Sequence, residues 1–157
     1  MKTACPPLVL CALSLALTLP LLAAAGGQKY LPHAVPANAP PAPFSDAVLA
    51  GDTLYVAGHL GLDPATGNAA ADADAEARLM LDAVRRTLEA GGMHMDDLVS
   101  VTVFCTDLSL YDHFNTIYRS YFQGHYPARA FIGVDKLVRG AHFELQGTAV
   151  RSRGASR

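Results

Sequence analysis

Two ionisable side chains stand in segments that otherwise read as buried strands. Arg129 lies in Tyr126-Pro127-Ala128-Arg129-Ala130-Phe131, and Glu144 lies in His142-Phe143-Glu144-Leu145. A buried guanidinium needs an anionic partner, and a carboxylate in such a setting needs donors or a raised pKa. The residues alone leave two readings open. Either the two form a structural salt bridge or lie on a wet sheet face, or they do chemistry. In the second case Arg129 holds a substrate carboxylate through its planar fork, while Glu144 handles water or a proton.

Other chemistry finds little support. The chain has no Gly-x-Ser-x-Gly elbow, no P-loop, no dinucleotide fingerprint and no His-Glu-x-x-His. Its six histidines, His33, His59, His94, His113, His125 and His142, never fall at close ligand spacing, so no metal is expected. Cys5 and Cys11 belong to the apolar N-terminal stretch, which leaves Cys105 without an intrachain disulfide partner. Its neighbours, Val101-Thr102-Val103-Phe104 and Thr106, predict a buried strand thiol rather than a nucleophile.

Arg129 and Glu144 need a scaffold, and the periodicity supplies one. Residues 47–50 and 53–57 read as a hairpin around the two-residue turn Gly51-Asp52. Gly58 and Gly61 then flank His59-Leu60, and a glycine at a strand end permits close approach by backbone or ligand. Asp63-Pro64-Ala65-Thr66-Gly67 is strong turn chemistry. Asp72 or Asp74 caps a helix that runs to about residue 90 and stops at Gly91-Gly92. Its apolar stripe is Leu79, Met80, Ala83, Val84 and Leu88, with Arg78, Asp82, Arg85, Arg86 and Glu89 outside it. A strand over 98–106 follows, then a second helix capped by Asp107 or Ser109. That helix carries Leu110, Phe114, Ile117, Tyr118 and Tyr121 on one face. Residues 128–134 and 143–150 read as the last strands. The expected class is α+β in the order β-β-α-β-α-β-β, a mixed sheet with two helices packed on one face.

The 157 residues suffice for one domain and an appendage. Lys2, an apolar run over 8–22 and Ala23-Ala24-Ala25 predict a cleavable signal peptide at 1–25. A membrane anchor is the alternative; Pro6, Pro7, Pro20 and the small-residue exit favour cleavage. Cys11 lies too deep in the apolar run to be a lipoprotein acylation site. Export is expected, with the periplasm as destination and no membrane association after cleavage. Residues 26–43 hold Pro32, Pro36, Pro40, Pro41 and Pro43 and read as a linker or arm. The domain proper is expected at 44–151, with a solvated tail at 152–157. Removing Lys2 from the 12 basic residues leaves 11 against 14 acidic ones, a net of −3. No basic face is foreseen, and so no nucleic-acid partner.

From residue 44 to about 150 the chain resembles the reactive intermediate/imine deaminase family (Rid, or YjgF-type). The strings that carry the likeness are Leu54-Tyr55-Val56-Ala57-Gly58-His59-Leu60, Asp63-Pro64-Ala65-Thr66-Gly67 and Asn115-Thr116-Ile117-Tyr118-Arg119-Ser120-Tyr121-Phe122. The most specific are Tyr126-Pro127-Ala128-Arg129-Ala130-Phe131-Ile132 and Phe143-Glu144-Leu145. The resemblance implies a chorismate-mutase-like subunit in a homotrimer with ligand clefts between subunits. It implies hydrolysis of small carboxylated imines and enamines, of the 2-aminoacrylate type, to 2-oxo acids and ammonia without a cofactor. Arg129 would then pair with the substrate carboxylate, and Glu144 would position the attacking water. Main-chain groups near Gly58 and Phe131 would hold the amine end, and Asn115 matches a position often polar in the family.

Three positions depart from that pattern: Phe44 stands where a Tyr is typical, Ala57 where a Ser is, and Phe131 where a Cys is common. Losing the hydrogen-bonding groups at Phe44 and Ala57 would cost about 1–3 kcal/mol each if they bind substrate. The resemblance therefore implies a weakened or redirected activity. A trimeric module that binds a carboxylated metabolite without turnover is the alternative. A weaker third reading is an interaction protein that docks a partner through the Pro-rich arm.

Overall fold

Alternation along the strands and three- to four-residue steps along the helices produce two layers. The computed structural model describes residues 27–152, so the expected signal peptide with Cys5 and Cys11, and the tail beyond Ser152, lie outside the described residues. The elements are β1 (Lys29–Pro32), β2 (Ser45–Ala50), β3 (Thr53–Leu60), α1 (Ala73–Ala90), β4 (Leu98–Cys105), α2 (Tyr111–Arg119), β5 (Ala128–Gly133) and β6 (Phe143–Val150). They build one mixed sheet in the order β1-β2-β3-β6-β4-β5. Among the described residues only the β4–β5 pairing is parallel.

One element corrects the sequence reading. The segment read as a linker or arm contains β1, which pairs antiparallel with β2 through Tyr30↔Val48 and Leu31↔Ala47. The order is therefore β-β-β-α-β-α-β-β. An edge strand needs a ladder on one side only, so Pro32 is tolerated at its last position. Four residues are too few to show a period of two, and the prolines that follow hide them.

The β2–β3 hairpin forms as expected, with Gly51 at φ 60° in the turn. In β3, Leu54 and Val56 are buried against the helices. A register irregularity between Val56 and His59 then shifts the alternation, so His59 rather than Gly58 turns inward. Both His59 ring nitrogens are engaged, Nδ1 by the Ala57 carbonyl and Nε2 by Thr87 Oγ1, each at 2.8 Å. This histidine is a bonded core residue.

Helix α1 starts at Asp72, whose carboxylate accepts from the Ala75 N–H, and ends at Gly91. Its buried stripe is Ala77, Met80, Leu81, Val84 and Leu88 together with Glu76 and Thr87. Leu79 and Ala83 are half-buried, so the stripe is rotated by about one position from the expected one. They flank a cleft beside β1. A 3₁₀ turn at Leu108–Leu110, capped by Asp107, leads into α2. Phe114, Ile117 and Tyr118 of α2 are buried on the same side of the sheet as α1. Cys105 is buried and forms no disulfide among the described residues, and its thiol donates to the Asp107 carbonyl at 3.1 Å. Burial pushes this thiol's pKa up, as expected of a structural cysteine.

Glu76 ties the two layers together. Its carboxylate is fully buried. Oε1 accepts from the main-chain N–H of His142 at 2.7 Å and of Phe143 at 2.8 Å, and His142 Nδ1 donates to Oε2 at 2.7 Å. Gly61 permits this approach, because a Cβ there would overlap the Glu76 main chain.

Removing the Glu76 carboxylate strands the buried Phe143 N–H, while the half-buried His142 donors can turn to water. Glu76→Ala is expected to lower stability by about 1–3 kcal/mol, read as a fall in the urea midpoint at unchanged slope. Glu76→Gln keeps a carbonyl oxygen for the main-chain donors and should lose clearly less.

Candidate functional site

Residues level with each other on neighbouring strands share a face. Arg129 is level with Val101 and Phe131 with Val103, and both valines are buried beneath the helices. Glu144 is level with Leu60 and Phe104, while Phe143 and Leu145 on either side of it take the helix face. Arg129 and Glu144 therefore leave the sheet on opposite faces, and β4 separates their strands. Neither makes an ion pair among the described residues, which removes the structural salt bridge as an explanation. A single chain carries two separate clusters, each a candidate half-site.

The first half-site is built on edge strand β5 and helix α2. Arg129 Nη2 donates to Asn115 Oδ1 at 2.7 Å, and Asn115 is itself buried. The guanidinium carbon lies 4.7 Å from the ring centre of Tyr118, 5.7 Å from Phe131, 5.8 Å from Tyr111 and 6.0 Å from Phe114. Phe131 meets Tyr111 edge-on at 5.0 Å and Phe114 at 5.3 Å. Its extra bulk therefore goes into an aromatic collar that fixes the guanidinium plane. One N–H of the fork is held by Asn115, and the remaining donors suit a bidentate carboxylate.

The second half-site surrounds Gly58. The Glu144 carboxylate lies against it so closely that a Cβ on Gly58 would overlap Oε1. Absence of a side chain is what Gly58 contributes; with any other residue there, Glu144 must move. Ala57 sits beside it in the irregular part of β3. A cleft of about 610 Å³ also reaches Gly58, between α1 and the β1–β2 edge; Phe44, His33, Asp46, Arg86 and Arg139 are among its lining. Phe44 is 53% exposed and presents its ring to this cleft. Of the sequence-predicted residues, Arg129, Asn115 and Phe131 thus come together; Glu144 lies against Gly58, next to Ala57 in the chain; and Phe44 lines the α1-side cleft, which reaches Gly58 but whose lining does not include Glu144.

Sequence spacing does not flag two polar pairs, Glu76–His142 and His33–Asp46. A trace of the first is visible: Glu76 falls at four-residue steps from Met80, Val84 and Leu88, a charge on the apolar stripe. Nothing local marks the second. A further groove of about 400 Å³ near the ends of both helices contains none of the predicted site residues.

The family model described as Endoribonuclease L-PSP matches residues 36–151. The 2-iminobutanoate/2-iminopropanoate deaminase of Bos taurus is 37% identical over 118 residues, 73% of this chain and 86% of that protein. Its namesake from Escherichia coli K12 is 35% identical over 119 residues, 73% of this chain and 93% of that protein. Among solved structures, E. coli TdcF with bound serine superposes with a TM-score of 0.70 at 31% identity, covering 79% of this chain and all of that one. The E. coli YjgF gene product gives 0.68 at 32% identity, covering 78% and 94%.

Tyr118 yields a pH test of the first half-site. Its hydroxyl is buried with no hydrogen-bond partner among the described residues. Burial pushes its pKa up from 10.0 to about 12, with Arg129 opposing the rise. The folded protein keeps this proton where the unfolded chain has lost it, so stability falls as pH rises from about 10 to about 12. Tyr121, held up to about 12 by burial and by Asp82, adds to the same slope. In Tyr118→Phe the fall between pH 9 and pH 11 should be shallower, and stability at pH 7 unchanged or higher by about 1 kcal/mol. Urea midpoints at the three pH values check this.

Proposed function

The chain belongs to the endoribonuclease L-PSP family, which includes the Rid and YjgF proteins, and on that premise we propose that it hydrolyses small carboxylated imines and enamines of the 2-aminoacrylate type. The products are 2-oxo acids and ammonia. The observation that carries this reading is the division of the site. An aromatic-collared guanidinium with free donors lies on one sheet face, and a carboxylate resting on a glycine lies on the other. A homotrimer in which the half-sites of neighbouring subunits meet would complete the cleft. Tyr55 and Ile132, exposed on the sheet face that the helices leave uncovered, suit such an interface.

In that cleft Arg129 holds the substrate carboxylate and Asn115 holds Arg129. Glu144 orients the water that attacks the imine carbon, with main-chain groups near Gly58 and Phe131 at the amine end. A carboxylated ligand is supported by TdcF, whose structure holds serine. The protein's formal charge of −2 favours a metabolite over the RNA substrate suggested by the family description. With residues 1–25 as a cleavable signal, the activity would be exercised after export, in the periplasm.

Phe44 favours a second reading. Its apolar ring lines the cleft where a hydrogen-bonding group would assist turnover. On that reading the trimer binds a carboxylated metabolite and leaves it unchanged.

The test adds purified protein to an amino-acid oxidase reaction and follows conversion of the imino acid to the oxo acid. Wild type should accelerate it, and Arg129→Ala and Glu144→Gln should each lose on the order of 10²-fold or more. Because each cleft takes Arg129 from one chain and Glu144 from the next, unfolding and reassembling the two variants in equal amounts should restore about one quarter of the clefts. No acceleration by wild type, with ligand-induced stabilisation by the oxo acid, would establish the binding module instead.

A further inference from the structure

The cleft of about 610 Å³ beside α1 is a separate place in the molecule, lined by neither Arg129 nor Glu144. Because α1 forms one wall, the cleft opens on the helix side of the sheet, whereas Glu144 leaves by the other face. Its size is that of a small-molecule pocket. Leu79, Ala83, Arg86 and Ala90 recur at three- and four-residue steps and bring one face of α1 to it. Leu79 and Ala83 are only half-buried, so water still reaches this apolar face. From the β1–β2 side come two flat rings, the exposed Phe44 and His33, with centroids 5.0 Å apart and planes inclined by 39°.

The charges of the lining are unbalanced. Asp46 is the one acid in it, and His33 Nδ1 already engages its Oδ1 at 2.7 Å. The side chains of Arg86 and Arg139 have no hydrogen-bond or ion-pair partner among the described residues. Arg139 also stands at φ 61°, and no other non-glycine residue takes a positive φ among the described residues. Glycine would adopt that backbone without strain. The side chain kept there in spite of the strain is one that lines the cleft.

We propose that this cleft is a ligand site in its own right and that it takes an aryl carboxylate. Two guanidiniums with open donors, beside a single acid that is already engaged, call for an anion, and their planar forks suit a carboxylate. The rings of Phe44 and His33 favour an aromatic body that stacks offset on them. Leu79 and Ala83 supply apolar surface for the rest of that body. The small imines of the hydrolase reading carry no such ring, so the ligand differs from the substrate in class. Binding here needs no second subunit and uses none of Arg129, Asn115 or Glu144. Assembly through the sheet face that exposes Tyr55 and Ile132 leaves this cleft open, because it lies on the helix side. Binding is reversible, and no bond forms or breaks.

The experiment is equilibrium dialysis of hydrocinnamate against wild type, Arg129→Ala, Arg86→Gln and Arg139→Gly, with a melting temperature for each. Wild type should bind saturably. Arg129→Ala, in which the carboxylate holder of the first half-site is gone, should keep one ligand per chain at unchanged affinity. Arg86→Gln and Arg139→Gly should each raise the dissociation constant about tenfold or more. Arg139→Gly should do so at a melting temperature close to wild type, because glycine accepts the left-handed backbone, and a loss of binding there is not a loss of fold. Hydrocinnamyl alcohol, which lacks the charge, and acetate, which lacks the ring, should each bind at least about tenfold more weakly than hydrocinnamate. Absence of saturable binding by wild type would overturn the proposal. So would binding that is lost in Arg129→Ala and kept in the other two variants, which would put the ligand at the first half-site. Equal binding of the alcohol would reduce the cleft to an apolar groove and overturn it as well. The oxidase-coupled assay reads imine hydrolysis separately, so failure of either reading leaves the other standing.

Discussion

A single buried carboxylate organises this domain. Glu76 emerges from the first turn of α1, takes two main-chain donors at the start of β6 and holds His142 with its second oxygen. A charge taken fully out of water is tolerable only when its lone pairs are satisfied, and here three donors meet it. The clamp locks the helix layer to the sheet two residues before Glu144. Gly61 is a consequence, since the helix backbone must come close enough for Glu76 to reach. Where Glu144 sits thus depends on a contact between elements 66 residues apart.

The second constraint is the period of two along strands. It sends Arg129 and Glu144 to opposite faces, and no adjustment within one chain reunites them. What would look like a failed active site in a monomer is, in the proposed trimer, the reason for assembly. In that trimer the cluster on β5 would meet a carboxylate-and-glycine surface, and the cluster around Gly58 would meet a cation. The irregularity in β3 contributes to the same end: it turns His59 into the core and leaves Gly58 against Glu144.

The apolar departures at Phe44 and Phe131 gain different meanings from their surroundings. Phe131 joins the collar around Arg129, so its bulk serves to hold the guanidinium rather than to fill the cleft. Phe44 lacks a polar tip, but it lies under His33, whose free ring nitrogen is polar. Phe131 therefore adds packing around the guanidinium, and Phe44 packs on the His33 ring.

Local patterns were readable without coordinates. The β2–β3 turn, α1 with Asp72 at its start, the presence of α2, the buried strand thiol of Cys105, and the α+β class all follow from residues within a few positions of one another; Asp107, expected to cap α2, caps the 3₁₀ turn before it instead. Arg129 and Glu144 were readable as charges in apolar strands. Three things were not. β1 is too short and too near prolines to show a period, and the rotation of the α1 stripe depends on where the helix settles over the sheet. The pairs Glu76–His142 and His33–Asp46 join residues 66 and 13 positions apart, and no spacing rule links them. The sequence by itself determined which side chains could do chemistry and which elements carry them, because periodicity and turn chemistry act over short range. Only the tertiary structure decided that Arg129 and Glu144 part company across the sheet, because strand register is a property of neighbours rather than of any one segment.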